Sequence, residues 1–199
     1  MTNSRITLWL AMALLLISGA AVADHHEEAG GGNDMAQAMA SAMALAQPGD
    51  CHKPLGAQVG QFNVKMKIYP GPGAPAIEAD GTSEGAWILG GRFVETNYSA
   101  TIMGQPFEGQ GVEGFDNQTK EYTGTWRDTM GTYTLVFKGN CDGENKGRTM
   151  LTNMKDPMGN DLQNRGVTTA TDTGYTYESY IITPDGGEFK NLELVATRK

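Results

Sequence analysis

Between Gly60 and Lys199 the chain is cut by tight-turn signals at nearly even intervals. They are Gly90-Gly91, Met103-Gly104-Gln105, residues 116–119, residues 128–131, Asp142-Gly143, residues 156–160, Asp172-Thr173-Gly174 and Asp185-Gly186-Gly187. Gly admits positive φ in such turns, and Asp or Asn bonds its own backbone there. Between the turns the side chains alternate. Phe62, Val64, Met66 and Ile68 are interleaved with Asn63, Lys65 and Lys67, and Tyr122, Gly124 and Trp126 with Thr123, Thr125 and Arg127. A period of two is that of a strand with one buried face. Beyond the strand that begins near Gly60, the pattern predicts strands over 81–89, 92–102, 106–115, 121–126, 132–138, 147–155, 162–171, 175–183 and 189–197. About ten strands joined by hairpin-length turns predict an all-β, antiparallel up-and-down barrel. A sandwich is the alternative, but a Greek key needs long crossings that the spacing does not offer.

The first 23 residues are of another kind. Arg5 precedes an apolar run over 6–17, and Ala21-Val22-Ala23 has the small-x-small form of a secretory cleavage site. The run is short for a bilayer span, and the segment reads as a leader cut after Ala23. An uncleaved anchor is the alternative. Export places residues 24–199 in a periplasmic or secreted setting, with no membrane span left after cleavage. Loss of Arg5 takes the net charge from −8 to −9. A chain this acidic is not drawn to nucleic acid or to anionic lipid. Residues 24–33, DHHEEAGGGN, read as a disordered polar tail, and residues 34–47 as a short Met/Ala-rich helix capped by Asp34. Met35, Met39 and Met43 share a face of that helix, which is expected to pack on the barrel or cover one end. Residues 48–199 form the barrel domain.

Cys51 and Cys141 are the two cysteines. In an oxidising compartment an even count reads as a disulfide, with two free thiols as the alternative. Closing a loop of about 90 residues would contribute roughly 4 kcal/mol. His25, His26 and His52 are the three histidines. The tail pair with Glu27, Glu28 and the methionines could ligate copper, but a solvated tail and a core-facing Met stripe is the preferred account of them, so no metal and no cofactor is assigned. His52 reads as a capping or packing residue. No phosphate-binding Gly-rich loop and no G-x-S-x-G elbow occurs.

Several segments together resemble the bacterial family of domain of unknown function 1579, placed among lipocalin-like (calycin) barrels. They are PGDCHKPLGAQVGQF at 48–62, ILGGRFVE at 88–95, MGQPFEGQGVEGFDNQTKEYTGTWRDTMGT at 103–132, DPMGN at 156–160 and FKNLELVATRK at 189–199. The resemblance implies a closed barrel with a short leading helix and no particular activity. A looser similarity is to lipocalins, whose first strand opens Gly-x-Trp beneath an arginine near the barrel's end. Here Gly60-Gln61-Phe62 carries Phe in place of Trp, and Arg198 is positioned to stack on it for about 0.5–1 kcal/mol.

A ten-stranded barrel is wide enough to leave a lumen. Tyr122, Trp126, Tyr133 and Tyr177 are candidates for an aromatic wall, and Arg127 and Asp128 for its polar groups. The functional expectation is an exported barrel that binds a small apolar or amphipathic ligand in its lumen. One alternative is a hydrolase or isomerase using Asp128, Arg127 and Asp116, though Asp116 and Asp128 are also placed to bond turn amides. Another is an envelope module acting through its surface, with its oligomeric state open.

Overall fold

A computed structural model describes residues 31–141, 147–156 and 158–199, with only the backbone at 31 and 32. The expected leader over 1–23, most of the polar tail with His25 and His26, and the turn at Asp142-Gly143 lie outside the described residues. The chain divides into two compact units, Met1–Ala38 and Met39–Lys199. The described part of the first is the opening half of helix α1, Gly31–Leu45. No helix among the described residues is long and apolar enough to cross a membrane.

Ten antiparallel strands follow: β1 Gly60–Ile68, β2 Ile77–Ile88, β3 Phe93–Ile102, β4 Gln105–Asp116, β5 Glu121–Asp128, β6 Leu135–Asn140, β7 Gly147–Lys155, β8 Asp161–Thr171, β9 Gly174–Ile182 and β10 Glu188–Arg198. Each pairs with its sequence neighbour, and β1 pairs with β10, so the sheet closes into a barrel. The predicted up-and-down order is the one observed. The turns follow the chemistry of their residues: Met103 and Gly104 both have positive φ (51° and 79°), the geometry that lets a two-residue hairpin follow the strand twist. Among the described residues the β6–β7 seam shows one register pair, Lys138 opposite Leu151.

One end of the barrel is plugged by a 3-10 helix, Asp50–Gln58, which packs against β2, β3, β4, β8 and β9. Leu55 and Pro54 are buried at this end, with Leu55 fully inaccessible among Val94, Phe115, Tyr122 and Met150. The Cys51–Cys141 disulfide (S–S 2.06 Å) joins the plug to the end of β6. His52 accepts the Gly49 N–H through Nδ1 at 3.0 Å and sets its ring edge-on to Phe115. The side-chain amide of Asn117, in the β4–β5 turn, donates to the carbonyls of Leu45 and Gln47 at 2.8 and 2.7 Å, which ties down the segment leading into the plug. Arg198 lies 5.0 Å over the Phe62 ring and donates to the Val59 carbonyl at 2.8 Å, as the lipocalin similarity anticipates.

The methionine face of α1 departs from expectation. Met35, Met39 and Met43 are all largely exposed, so this face is not a core face. The helix begins at Gly31, which places Asp34 in its first turn and not at its cap.

Candidate functional site

Residues paired across antiparallel strands share a face of the sheet, so the register identifies the lumen. Trp126 stands opposite Gly111, Gly111 opposite Thr96, and Thr96 opposite Gly85. Gly109 and Gly111 have no side chain because Trp126 occupies that space. A Cβ on Gly109 would overlap Cζ2 and Cη2 of the indole, and one on Gly111 would sit 3.3 Å from Cε3. The indole thus lies across β4 inside the barrel, with Tyr98 edge-on at 5.4 Å. Its Nε1–H donates to Asp128 Oδ2 at 2.7 Å.

Deeper in the barrel the lumen is crossed by polar side chains. Tyr98 of β3 and Tyr175 of β9 share a hydroxyl–hydroxyl bond of 2.6 Å, and Tyr175 also meets Ser83 Oγ at 3.2 Å. Arg148 of β7 extends inward, and its Nη2 donates to both Glu113 of β4 and Gln58 of the plug. The Arg148 side chain is 1% exposed, whereas that of Glu113, although inside the barrel, is 25% exposed. The buried Nε–H of Arg148 has no partner among the described residues. An unanswered buried donor of this kind costs about 1–3 kcal/mol. Burial holds the Tyr98 hydroxyl well above its ordinary range, with Tyr175 beside it adding to the effect, and pushes Tyr177 up to about 12. Burial raises Tyr175 as well, so the phenol hydroxyls of Tyr98, Tyr175 and Tyr177 stay protonated in neutral solution.

Toward the end opposite the plug the inward side chains mix half-buried apolar groups, Ile102, Phe107, Leu135, Met154 and Leu192, with the buried polar Thr152, Asn164 and Ser179, where the Asn164 side-chain amide donates to Ser179 Oγ at 2.6 Å. The lumen thus has a polar floor against the plug and a wall of mixed apolar and polar side chains toward the other end.

The six residues proposed from sequence separate in space. Trp126, Asp128 and Tyr133 come together, since Tyr133 Oη donates to the Asp128 carboxylate at 3.3 Å. Asp128 also accepts the Met130 amide at 2.9 Å, so its carboxylate braces the turn after β5. Asp116 does the same for Gln118 at 2.7 Å. Tyr177 faces the lumen from β9, opposite Leu194 and Thr168. Tyr122 is 1% exposed and packs against Phe115 beneath the plug, near the disulfide, away from the open lumen. Arg127 points outward and donates to Gln110 Oε1 at 3.3 Å. Arg148, Glu113, Gln58, Ser83, Tyr98 and Tyr175 form the floor, and sequence reasoning assigns them no joint role. One signal was available: Arg148 has the parity of Met150 and Met154 on β7, which places it on their face.

On the outside, the register lines up Gln61, Glu84, Asn97, Gln110 and Arg127 across β1 to β5. They border a polar surface groove of about 610 Å³ that also reaches Asp128 and Lys199. Among the described residues no three His, Cys, Asp or Glu side chains gather as a metal site.

The architecture is similar to that of the crystal structure of Rv2717c from M. tuberculosis, with a TM-score of 0.54 and 12% identity over 77% of this chain and 99% of that one. At this identity the likeness is one of fold. No curated protein matches the sequence. The family described as "Protein of unknown function (DUF1579)" matches residues 47–198, a span from the anchored segment before the plug to the last barrel strand, and the chain belongs to that family.

Proposed function

We propose that the protein is an exported binding protein that takes a small amphipathic molecule into its barrel through the end opposite the plug. The observation that carries this reading is the contrast inside the barrel: Arg148 is sealed while its partner Glu113 keeps a quarter of its side chain accessible. Water therefore has room beside a polar group in the interior. The half-buried Trp126, Tyr98, Tyr177 and Phe137 around it offer aromatic contact area, and aromatic walls with a few fixed polar groups suit such a ligand. The disulfide and the leader-like N-terminus support a periplasmic or secreted location. The test is native mass spectrometry of the exported protein purified without detergent. A reproducible added mass, lost when Trp126 is replaced by Ala, is expected. A bare polypeptide mass, together with no uptake from a lipid extract of the producing cell, would remove the proposal.

The outer groove favours a second reading, in which the protein acts through its surface. Its lining of Gln61, Asn97, Gln110 and Arg127 is rich in hydrogen-bonding groups. Arg127→Ala together with Gln110→Ala would then abolish function while leaving the lumenal mass unchanged.

A further inference from the structure

A ligand that enters from the end opposite the plug meets Ile102, Phe107, Leu135, Met154 and Leu192 with its body and the floor with its head. We infer that this floor admits an uncharged oxygen-bearing head group, an alcohol or a carbonyl, and turns away a carboxylate; the inference rests on the lumenal binding proposed above.

Charge is the first ground. Arg148 alone would favour an anion, but Glu113 already matches it through the shared Nη2. An entering carboxylate would place a second negative charge beside Glu113, which already takes up the charge of Arg148, and an unmatched charge in a barrel interior is strongly disfavoured. Accessibility is the second. The Arg148 side chain is sealed at 1% exposure, so an entering molecule meets Glu113 and not the guanidinium. The third is the character of the remaining groups. The Tyr98 and Tyr175 hydroxyls, bonded to each other, and Ser83 can each donate or accept. Glu113, still partly accessible, can accept from an entering hydroxyl. An alcohol thus finds both a donor and an acceptor, whereas a carboxylate can only accept.

The experiment uses the disulfide-bonded protein, residues 24–199, with decan-1-ol and decanoate as probes of equal chain length at pH 7.5, each titrated calorimetrically. The wild type is expected to bind decanol about tenfold or more tightly than decanoate. In Glu113→Gln the positive charge of Arg148 is unmatched, and the order is expected to reverse. That reversal separates recognition from partitioning, because an apolar sink would prefer the alcohol in both proteins. Equal or tighter binding of decanoate by the wild type overturns the inference but leaves lumenal binding standing. Binding of neither probe overturns lumenal binding and the inference with it. Should Glu113→Gln not fold, Tyr98→Phe, which keeps both charges, replaces it. A several-fold loss of decanol affinity is then expected, and undiminished affinity would count against the floor as the head-group site.

Discussion

The Arg148–Glu113 pair gives the sharpest test of how the barrel interior is built, because its two halves are unequally sealed. Glu113→Gln removes the one carboxylate to which Arg148 is bonded among the described residues, beside a guanidinium that is 1% exposed. Stranding a buried charge in this way costs about 3–5 kcal/mol. Arg148→Met strands the other half, but Glu113 is 25% exposed and can recruit water, while methionine refills most of the lost volume. Its cost should be nearer 1–2 kcal/mol, the scale of one broken hydrogen-bond set. The double variant restores a neutral interior and should lie within about 1 kcal/mol of the wild type, since buried pairs are often replaceable by apolar groups. The single costs exceed that of the double variant by about 3–7 kcal/mol, which is the coupling expected between the two sites. Equilibrium denaturation in urea at pH 7.5, with the slope checked for constancy across the four proteins, measures each value. If Arg148→Met costs as much as Glu113→Gln, or if the two effects simply add, the unequal accessibility of the pair is not what governs its energetics.

Three further outcomes are expected. Cys51→Ser with Cys141→Ser, which opens a loop with a sequence separation of 90, should cost about 4 kcal/mol, read as a fall in Tm of roughly 8–16 °C; an unchanged Tm would show that the plug is held by packing alone. Gly109→Val pushes a side chain into the slot of the Trp126 ring and should cost about 1–3 kcal/mol with a red-shifted indole emission in residues 24–199 carrying Trp87→Phe, where Trp126 is the one tryptophan; an unshifted spectrum would place the ring elsewhere. His52 is 4% exposed, and burial, aided by Arg92 and partly opposed by the Phe115 backbone, lowers its pKa below 6.5. On acidification the unfolded chain takes up this proton before the folded one does, so stability should decline as pH falls through the unfolded value of 6.5. His52→Gln should flatten Tm between pH 7.5 and 5, and an unaltered slope would show that the histidine is not responsible.

Much of the barrel is legible from local chemistry alone. Alternation and turn residues act over a few positions, and in an up-and-down barrel the neighbours in space are the neighbours in sequence. The ten strands therefore follow from pattern, and β7 matches its predicted span to the residue. What is not legible is depth. Tyr122 and Trp126 have the same parity on β5 and both face inward, yet one is sealed beneath the plug and the other lies half-buried in the lumen. The difference arises from the Asp50–Gln58 helix, whose sequence DCHKPLGAQ has a proline inside it and no helical period to announce it. The methionine face of α1 misleads for the opposite reason. Its i, i+4, i+8 spacing has the form of a buried stripe, but spacing does not supply a partner surface, and Met39 and Met43 remain exposed. The tether at this point comes from Asn117, which sequence assigns only to its own turn. The floor escapes notice because its members come from β2, β3, β4, β7, β9 and the plug, and only closure of the sheet brings them together.

Closure also has a consequence in time. Nine of the strand pairings join consecutive strands and can form as local hairpins, but the tenth joins Phe62 of β1 to Arg198 of β10 across nearly the whole domain. Hairpins form within microseconds, whereas contacts of high sequence separation slow folding steeply. A chain made from its N-terminus therefore carries a bare β1 edge until its final residues emerge. Throughout that interval the row of unpaired amides and carbonyls is a template for any other strand. Assembly of this barrel is thus a race between its own last strand and the strands of its neighbours, and conditions that delay the arrival of residues 188–198 should raise the yield of aggregate without altering the stability of the finished protein.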